Sequence, residues 1–260
     1  MAAALLLMLE PESSAIDGDD FTRRLEAVSR QLLGAPYALG PLGEEVPPDL
    51  DPRFRLDAFD CTTYVETVLA LALGGSDDEA ATRLQLDRIR YTGGVPGFAT
   101  RRHLIDAQWI PELEREGLLV DVTRRLGGGA ARTASLRLNR ATWQRSHLAT
   151  DFGLEWSAVP HGRQMLAYLP WEVLERDDVR AALPSIGILN LIANPTPSAP
   201  TVVIHQALLL RAEDGGWIAR HASSSSHRVV EEPLSVFLER SRGRKRSVLG
   251  VNVLEIVGEK

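Results

Sequence analysis

One segment constrains the fold more than any other part of the chain. Residues 201–210, TVVIHQALLL, form an otherwise apolar run, rich in β-forming residues, that His205 interrupts. A continuous run of this kind predicts a strand that is covered on both faces of a sheet. An imidazole in such a strand needs a hydrogen-bonding partner or a chemical role. The sequence therefore predicts a buried central strand with a satisfied or functional histidine in it.

A second strand, WIARH, is predicted to follow after a turn. A three-residue loop at 213–215, with its glycine in the left-handed conformation, would pair Arg211 with Trp217. That register puts His205 and His221 on the same face of the sheet as diagonal neighbours. A two-residue Asp-Gly turn would put them on opposite faces, and the pattern alone leaves both registers open.

The only cysteine of the chain opens a predicted helix. In the segment FDCTTYVETVLALALGG, apolar residues from Val65 onward recur at helical spacing until a glycine pair. Asp60 is a favourable N-cap, so Cys61 lies in the first turn, where free backbone N–H groups and the helix dipole stabilise a thiolate. We therefore expect a lowered pKa for the Cys61 thiol and a nucleophilic cysteine. A buried, inert cysteine is the alternative.

A cysteine nucleophile needs a base within hydrogen-bond reach and a third group that orients the base. His205 on a central strand and His221 on the next strand can fill these two roles. Purely structural histidines remain the alternative at both positions. A metal site is not indicated, because no third ligand stands at a recognisable spacing.

The remaining sequence describes an ordinary globular protein. Its 260 residues can form one large domain, and one cysteine excludes an internal disulfide framework. A net charge of −6 argues against general binding to nucleic acid or anionic membranes. A basic cluster at 240–246 is interpreted as a solvated loop. A helix is predicted within 20–34 and a long surface loop at 35–58.

The N-terminal segment, residues 1–19, has an apolar run that is too short to span a membrane. It is either the remnant of a signal peptide or a disordered lead-in, and both interpretations stay open. No other segment is long and apolar enough to cross a bilayer, so we expect a protein that does not span a membrane.

Four blocks of the sequence resemble a known family. They are LLGAPYALGPLGE (32–44), FDCTTYVETVLALAL (59–73), RIRYTGGVPGFATRRHLIDAQWIPEL (88–113), and IHQALLL together with RHASS. Their order resembles the NlpC-type cysteine peptidases of the bacterial cell wall, and more closely their N-acetylmuramoyl-L-alanine amidase-like branch. The resemblance implies an α+β, papain-like (NlpC-type) fold, in which the nucleophile helix packs on a mainly antiparallel β-sheet. It also implies one domain over 20–258 with a family-specific insertion between about 88 and 185.

The resemblance also implies roles for single residues. Cys61 corresponds to the nucleophile, His205 to the general base and His221 to the orienting group. Tyr37 corresponds to a tyrosine beside the nucleophile that holds the oxyanion or the substrate. The block that shapes the substrate cleft supplies three residues, namely Arg101, His103 and Trp109. By their chemistry alone, these three could bind a carboxylate and a sugar or peptide plane, or form a salt bridge and a core anchor.

The implied activity is hydrolysis of the N-acetylmuramoyl-L-alanine bond through a thioester, with peptidoglycan fragments (muropeptides), including anhydro forms, as substrates. We expect no cofactor, a monomer, and a location in the cell envelope or periplasm. Three alternatives are an endopeptidase that cuts after D-Glu, a muropeptide-binding module without chemistry, and a thiol-dependent acyltransferase. Two departures from the family pattern, GILN at 187–190 and QA at 206–207, are expected to change the cleft wall.

Overall fold

The computed structural model describes residues 18–75, 77–196, 199–212, 214–244 and 247–258. Most of the predicted N-terminal lead, residues 1–17, therefore lies outside the described residues. The α-helices are α1 (Gly18–Gln31), α2 (Cys61–Gly74), α3 (Glu79–Arg90), α4 (Ile110–Arg115), α5 (Thr123–Gly127), α6 (Arg140–Trp143), α7 (His147–Thr150), α8 (Trp171–Leu174), α9 (Asp177–Ala181) and α10 (Leu234–Arg242). A π-helical turn at Ile105–Trp109 leads directly into α4.

The strands form one sheet in which every pairing is antiparallel. They are β1 (Leu119–Asp121), β2 (Arg132–Leu138), β3 (Gly162–Pro170), β4 (Ile186–Ala193), β5 (Val203–Arg211), β6 (Trp217–Ser223), β7 (Arg228–Pro233) and β8 (Val248–Ile256). Their order is β2-β3-β8-β4-β5-β6-β7, and β1 also pairs with β8. The protein is therefore of the α+β class with an antiparallel sheet, as the family resemblance implied.

Both faces of the central strands are covered. One face packs against α1, α2 and the π-helical turn, and the other packs against α8, α9 and α10. Leu208 contributes to the first core and Leu209 to the second, as neighbours along a strand must. All eight residues of β4 are buried, and β5 is buried except near its ends. The prediction of a strand covered on both sides is confirmed.

The β5–β6 hairpin adopts the register of the three-residue loop. Arg211 pairs with Trp217 and Leu208 with Arg220, so continuation of this register sets Ala207 opposite His221. Gly215 has a φ of 81°, the left-handed conformation that this loop requires. Glu213, the first residue of the predicted loop, lies outside the described residues.

The other predicted elements agree in type and differ at their ends. Helix α1 stops at Gln31, before the predicted end at 34, because the chain turns there and the Gly34 N–H bonds to the Val229 carbonyl of β7 at 3.0 Å. The region 35–58 is a loop without a helix, as predicted. Among the described residues, no helix combines the length and hydropathy needed to span a bilayer.

Candidate functional site

The N-terminus of α2 is held by a reciprocal cap. An Asp60 carboxylate oxygen accepts the Thr63 backbone N–H at 2.8 Å, and the Thr63 hydroxyl accepts the Asp60 N–H at 2.9 Å. The other carboxylate oxygen of Asp60 accepts the Gly40 N–H at 3.0 Å and so ties the preceding loop to the helix. Cys61 is thereby fixed as the first helical residue, in the position that the sequence predicted.

The environment of Cys61 differs from the expectation. The residue keeps some exposed surface, but its thiol group is enclosed by protein. Burial, and after it the negative charge of Asp60, raise the pKa of the thiol to about 11. A hydrogen bond from the Gln206 backbone N–H and the charge of Arg244 oppose this effect without reversing it. The predicted lowering of the thiol pKa is therefore wrong, because burial and Asp60 raise the pKa by more than the hydrogen bonds and Arg244 lower it.

His205 and His221 are joined directly. His205 Nε2 lies 2.8 Å from His221 Nδ1, and the two rings are nearly perpendicular with centroids 4.8 Å apart. His221 Nε2 lies 3.1 Å from Oε1 of Glu232 on β7. Because an ionised carboxylate only accepts, His221 donates from Nε2 and its neutral Nδ1 accepts from His205 Nε2. This assignment leaves the lone pair of His205 on Nδ1, so His205 can accept a proton there.

Both imidazoles are kept neutral. Burial, and then His221 and Arg244, hold the pKa of His205 well below its usual value. Burial also lowers the pKa of His221, although the hydrogen bond and charge of Glu232 oppose the shift. Phe237 of α10 packs against both rings, with centroids 6.0 Å and 5.0 Å away. Both imidazoles are therefore unprotonated at neutral pH.

The site contains three side chains that sequence reasoning missed. Glu232 closes the histidine chain, Arg240 holds the second Glu232 oxygen at 2.8 Å, and Arg244 acts electrostatically on Cys61. The interpretation of 240–246 as a solvated loop is wrong for the described part, because residues up to Arg242 belong to α10 and two of the arginines face the site. Residues 245 and 246 lie outside the described residues.

Tyr37 lies beside Cys61. Its backbone is fixed by a hydrogen bond from its N–H to the His227 carbonyl at 3.0 Å and by a bridge to Phe59. Burial, and after it the charges of Cys61 and Asp60, raise the pKa of Tyr37 to about 12. The hydroxyl therefore stays protonated at neutral pH and can donate a hydrogen bond next to Cys61.

A cleft of about 520 Å³ begins at the first turn of α2. Its floor includes Thr62, Thr63 and Glu66 of that helix. Its walls carry apolar and aromatic side chains together with charged ones, and they include Leu39, Leu42, Phe98, Arg101, His103, Leu148 and Phe152. The cleft combines a polar floor with an aromatic wall, a composition that suits an amphipathic ligand such as a sugar.

Arg101 and His103 line this cleft. Arg101 is engaged by two carboxylates, because it binds both oxygens of Glu44 and donates to Asp49 at 2.7 Å. His103 Nε2 lies 2.7 Å from the Phe98 carbonyl, and the two rings are in contact at 4.6 Å. Arg101 therefore braces the cleft wall and does not present a free guanidinium to a substrate carboxylate.

Trp109 is not part of the cleft. It belongs to the π-helical turn, is 0% exposed and packs within the core between α2 and the sheet. The expectation that it binds substrate is wrong, because a fully buried indole cannot reach a ligand in the cleft. The alternative of a core anchor is the one that the structure bears out.

The two departures from the family pattern are also buried. Gln206 donates to Asn190 at 2.9 Å, and Asn190 donates to Asn252 at 2.9 Å, which forms an amide ladder across β5, β4 and β8. All three side chains are 0% exposed and lie apart from the cleft lining. The expectation that these departures change the cleft wall is wrong, because they change the interior of the sheet. Among the described residues, no group of three or more His, Cys, Asp or Glu side chains could hold a metal ion.

Comparisons with known proteins give the family of the chain and its similar structures. The sequence model of the N-acetylmuramoyl-L-alanine amidase-like family (AmiA-like) matches residues 27–244. No curated protein matches the chain.

Solved structures share the fold along most of the chain. Protein LPG0564 of Legionella pneumophila, from a domain family of unknown function, has a TM-score of 0.80 at 23% identity, over 92% of this chain and 90% of that one. An N-acetylmuramoyl-L-alanine amidase from Bacteroides uniformis has a TM-score of 0.65 at 26% identity, over 94% of this chain and 99% of that one. A candidate xylanase from Bacteroides fragilis has a TM-score of 0.68 at 28% identity, over 88% and 99%.

Proposed function

The chain belongs to the N-acetylmuramoyl-L-alanine amidase-like family, and from this premise we propose that it is a cysteine amidase of peptidoglycan fragments. It hydrolyses the amide bond between N-acetylmuramic acid and L-alanine, with anhydro-muropeptides among its substrates. One observation carries the proposal: Glu232, His221 and His205 form a hydrogen-bonded chain, and the backbone N–H next to His205 bonds to the Cys61 thiol.

The reaction proceeds in two halves. His205 takes the thiol proton while Cys61 Sγ attacks the lactyl carbonyl carbon of the muramoyl group. The C–N bond then breaks, and the protonated His205 gives its proton to the departing L-alanine nitrogen. Water attacks the resulting thioester with His205 again as the base, and this step releases the free sugar acid and restores the thiol.

Cys61 and His205 are both neutral, and this determines when the proton is transferred in the first step. A thiol with a pKa of about 11 beside an imidazole of lowered pKa does not form a thiolate–imidazolium pair in the free protein. Proton transfer therefore accompanies attack on the carbonyl, and Cys61 is reactive toward bound substrate more than toward small electrophiles. The charge on His205 that develops during attack is stabilised through His221 by the Glu232 carboxylate.

Two donors can stabilise the oxyanion of the tetrahedral intermediate. The backbone N–H of Cys61 is at the start of α2, where no carbonyl of the same helix can accept it. The Tyr37 hydroxyl is protonated and lies beside the thiol. Loss of one such donor typically lowers kcat by 10²–10³-fold, and we assign this role to both groups.

The carboxylates of the cleft support amide chemistry over glycoside hydrolysis, although one similar structure is named a candidate xylanase. Hydrolysis of a glycosidic bond needs two carboxyl groups that flank it. In the cleft, Glu66 is bound by Arg90, Asp49 by Arg101, and Asp60 by the backbone of α2. These three carboxylates are occupied, and Asp51, the fourth carboxylate of the lining, does not by itself provide a flanking pair, so we assign the chemistry to the thiol.

The proposal also covers the fold, the domain organisation, the oligomeric state and the location of the protein. We propose that the fold is the papain-like fold of the NlpC-type peptidases, with one domain over 20–258 and an insertion between about 88 and 185. The protein acts as a monomer on muropeptides in the cell envelope or periplasm, where such fragments arise.

The test is mass spectrometry of the products from defined anhydro and reducing muropeptides. We expect free stem peptide that begins with L-alanine, together with free sugar. Cys61→Ala and His205→Ala should each lower the rate at least about 1,000-fold. His161→Ala is the matched control, because this exposed histidine stacks on Trp156 in another part of the molecule. Release of sugar that still carries L-Ala-D-Glu would show an endopeptidase, and binding without cleavage would show a binding module.

A further inference from the structure

The three arginines at the end of α10 are partnered differently. Arg240 binds Glu232 at 2.8 Å, whereas Arg242 turns outward, pairs with Glu175 and lies over Trp171 at 5.2 Å. Arg244 is half-buried, and its guanidinium makes no hydrogen bond or ion pair within the described part of the chain. Because Arg240 already serves Glu232 and Arg242 is on the surface, Arg244 is the cation that is left for a ligand.

The charge of Arg244 is directed at the reaction centre. It acts on Cys61, Tyr37 and Glu232, and burial lowers its own pKa without removing its charge. A partly desolvated guanidinium without a carboxylate partner is costly, and an anionic ligand would offset that cost. The fork of N–H donors on arginine fits a carboxylate in a bidentate manner.

The positions of the carboxylates in a muropeptide indicate which part of it would bind such a cation. The carboxyl of the muramoyl group is consumed in the scissile amide, and the rest of the sugar carries only hydroxyl and acetamido groups. The carboxylates of the molecule are therefore all on the stem peptide, and the nearest one to the scissile bond is the free α-carboxylate of D-Glu. Arg244 is absent from the lining of the aromatic cleft, which leaves that cleft for the sugar.

We propose that Arg244 binds the α-carboxylate of the second stem-peptide residue and so places the peptide near Tyr37 and Cys61, outside the aromatic cleft. This inference rests on the proposed function. It makes Arg244 a specificity-determining residue that selects a free carboxylate over a carboxamide at that position. It also assigns the two parts of the substrate, with the uncharged sugar in the cleft and the anionic peptide over Arg244.

The experiment compares two substrates that differ in one group, muramoyl-L-Ala-D-Glu and muramoyl-L-Ala-D-isoglutamine. We expect the wild type to prefer the carboxylate by roughly 10- to 100-fold in kcat/KM, the range of one charge-assisted hydrogen bond. Arg244→Gln should abolish this preference, because activity on the carboxylate substrate falls by the extra 10- to 100-fold factor, whereas any effect of the lost charge on Cys61 is shared by both substrates. Arg242→Gln is the matched control, because it removes a neighbouring surface arginine and should keep the full preference. Arg244→Lys keeps the charge but loses the fork, and its preference should be intermediate.

Two results would overturn the inference. One is a wild type that cleaves both substrates equally well. The other is an Arg244→Gln variant that loses the same factor on both, which would mean that Arg244 acts on the thiol or the oxyanion. Calorimetric binding of the same two ligands to Cys61→Ala and to Cys61→Ala/Arg244→Gln separates this inference from the proposed function. A carboxylate preference in binding without wild-type cleavage would refute the amidase and keep the assignment of Arg244.

Discussion

At the scale of single residues, Cys61 and His205 of the candidate site are both uncharged at neutral pH. The thiol of Cys61 is buried next to a carboxylate, and His205 is buried between a second imidazole and an arginine. Each of these neighbours disfavours the charged form of the group that it surrounds. Two consequences can be measured separately, one on the thiol and one on the imidazole.

We expect slow alkylation of Cys61 by iodoacetamide at neutral pH. Only the thiolate reacts, and a pKa of about 11 means that the rate rises about tenfold per pH unit from pH 7 to pH 10. The measurement is the pseudo-first-order rate of mass gain at a series of pH values. A rate that is already at its plateau at pH 7 would contradict the account and would indicate a preformed thiolate.

We expect kcat/KM to persist into acid solution. Only unprotonated His205 can act as the base, and its lowered pKa means that protonation sets in well below pH 6.5. Activity should therefore be retained as the pH falls through 6.5 and be lost only at lower pH. A half-loss of kcat/KM at or above pH 6.5 would contradict the neutral pair.

The sequence singled out the candidate residues Cys61 and His205, but it did not predict the electrostatics around them. Cys61 stands out because it is the only cysteine and lies at a capped helix start. His205 stands out because it interrupts an apolar strand. Glu232 and Arg244 interrupt nothing, since each is one charged residue among several in a polar segment. Glu232 reaches His221 because β7 pairs with β6, and Arg244 acts on Cys61 because the segment after α10 comes close to it. Both contacts depend on the tertiary structure and cannot be predicted from local sequence. The raised pKa of the thiol also depends on the tertiary structure, because its main cause is the burial of Cys61, which the local sequence does not predict.

At the scale of elements, the cap of α2 combines a structural and an electrostatic role in one side chain. Asp60 holds the first turn and at the same time raises the pKa of Cys61. Asparagine also caps helices well but carries no charge. Substitutions at this position can therefore separate the two roles.

We expect Asp60→Asn to keep most of the stability and to accelerate alkylation of Cys61 at a given pH, because the opposing charge is gone. Asp60→Ala should also lose about 1 kcal/mol of unfolding free energy with the cap. The measurements are urea unfolding and alkylation rates on the same samples. Asp78→Ala removes the equivalent cap of α3, where Asp78 accepts the Ala81 N–H at 2.9 Å. It should cost similar stability without changing the reactivity of Cys61, and a changed reactivity would contradict the local origin of the effect.

The sequence predicted whether a segment is a helix or a strand better than it predicted which elements pack together. The buried strand β5, the β5–β6 register and the start of α2 follow from apolar runs, a left-handed glycine and a capping aspartate. The π-helical turn that buries Trp109 could not be predicted, because its cause is packing against α2 and the sheet. Tryptophan beside Arg101 and His103 in sequence suggested one shared surface, but the turn directs the indole inward.

At the scale of the whole molecule, a buried ion pair joins helix α2 to the rest of the structure. Glu66 of α2 binds Arg90 of α3, with side-chain exposures of 4% and 5%, and Arg90 also donates to the Leu42 carbonyl in the long loop. The pair therefore fixes three segments around the floor of the cleft. Removal of one partner leaves the other as an unpaired buried charge.

We expect Glu66→Gln to lower the unfolding free energy by about 3–5 kcal/mol. The matched control is Glu79→Gln in α3, which removes an exposed pair with Arg83 (Glu79 is 67% exposed) and should change stability by less than about 0.5 kcal/mol. Both values come from urea unfolding at neutral pH. Equal and small effects of the two substitutions would contradict the structural role of the buried pair.

The central claim is that Cys61 carries the muramoyl group through a thioester, and acid-quenched mass spectrometry of the protein during turnover tests it most directly. The account predicts that the peptide containing Cys61 gains the mass of the muramoyl acyl group. The adduct should be removed by hydroxylamine and should be absent in Cys61→Ala. Sustained release of stem peptide by Cys61→Ala, or an acyl group attached to any other residue, would contradict the account.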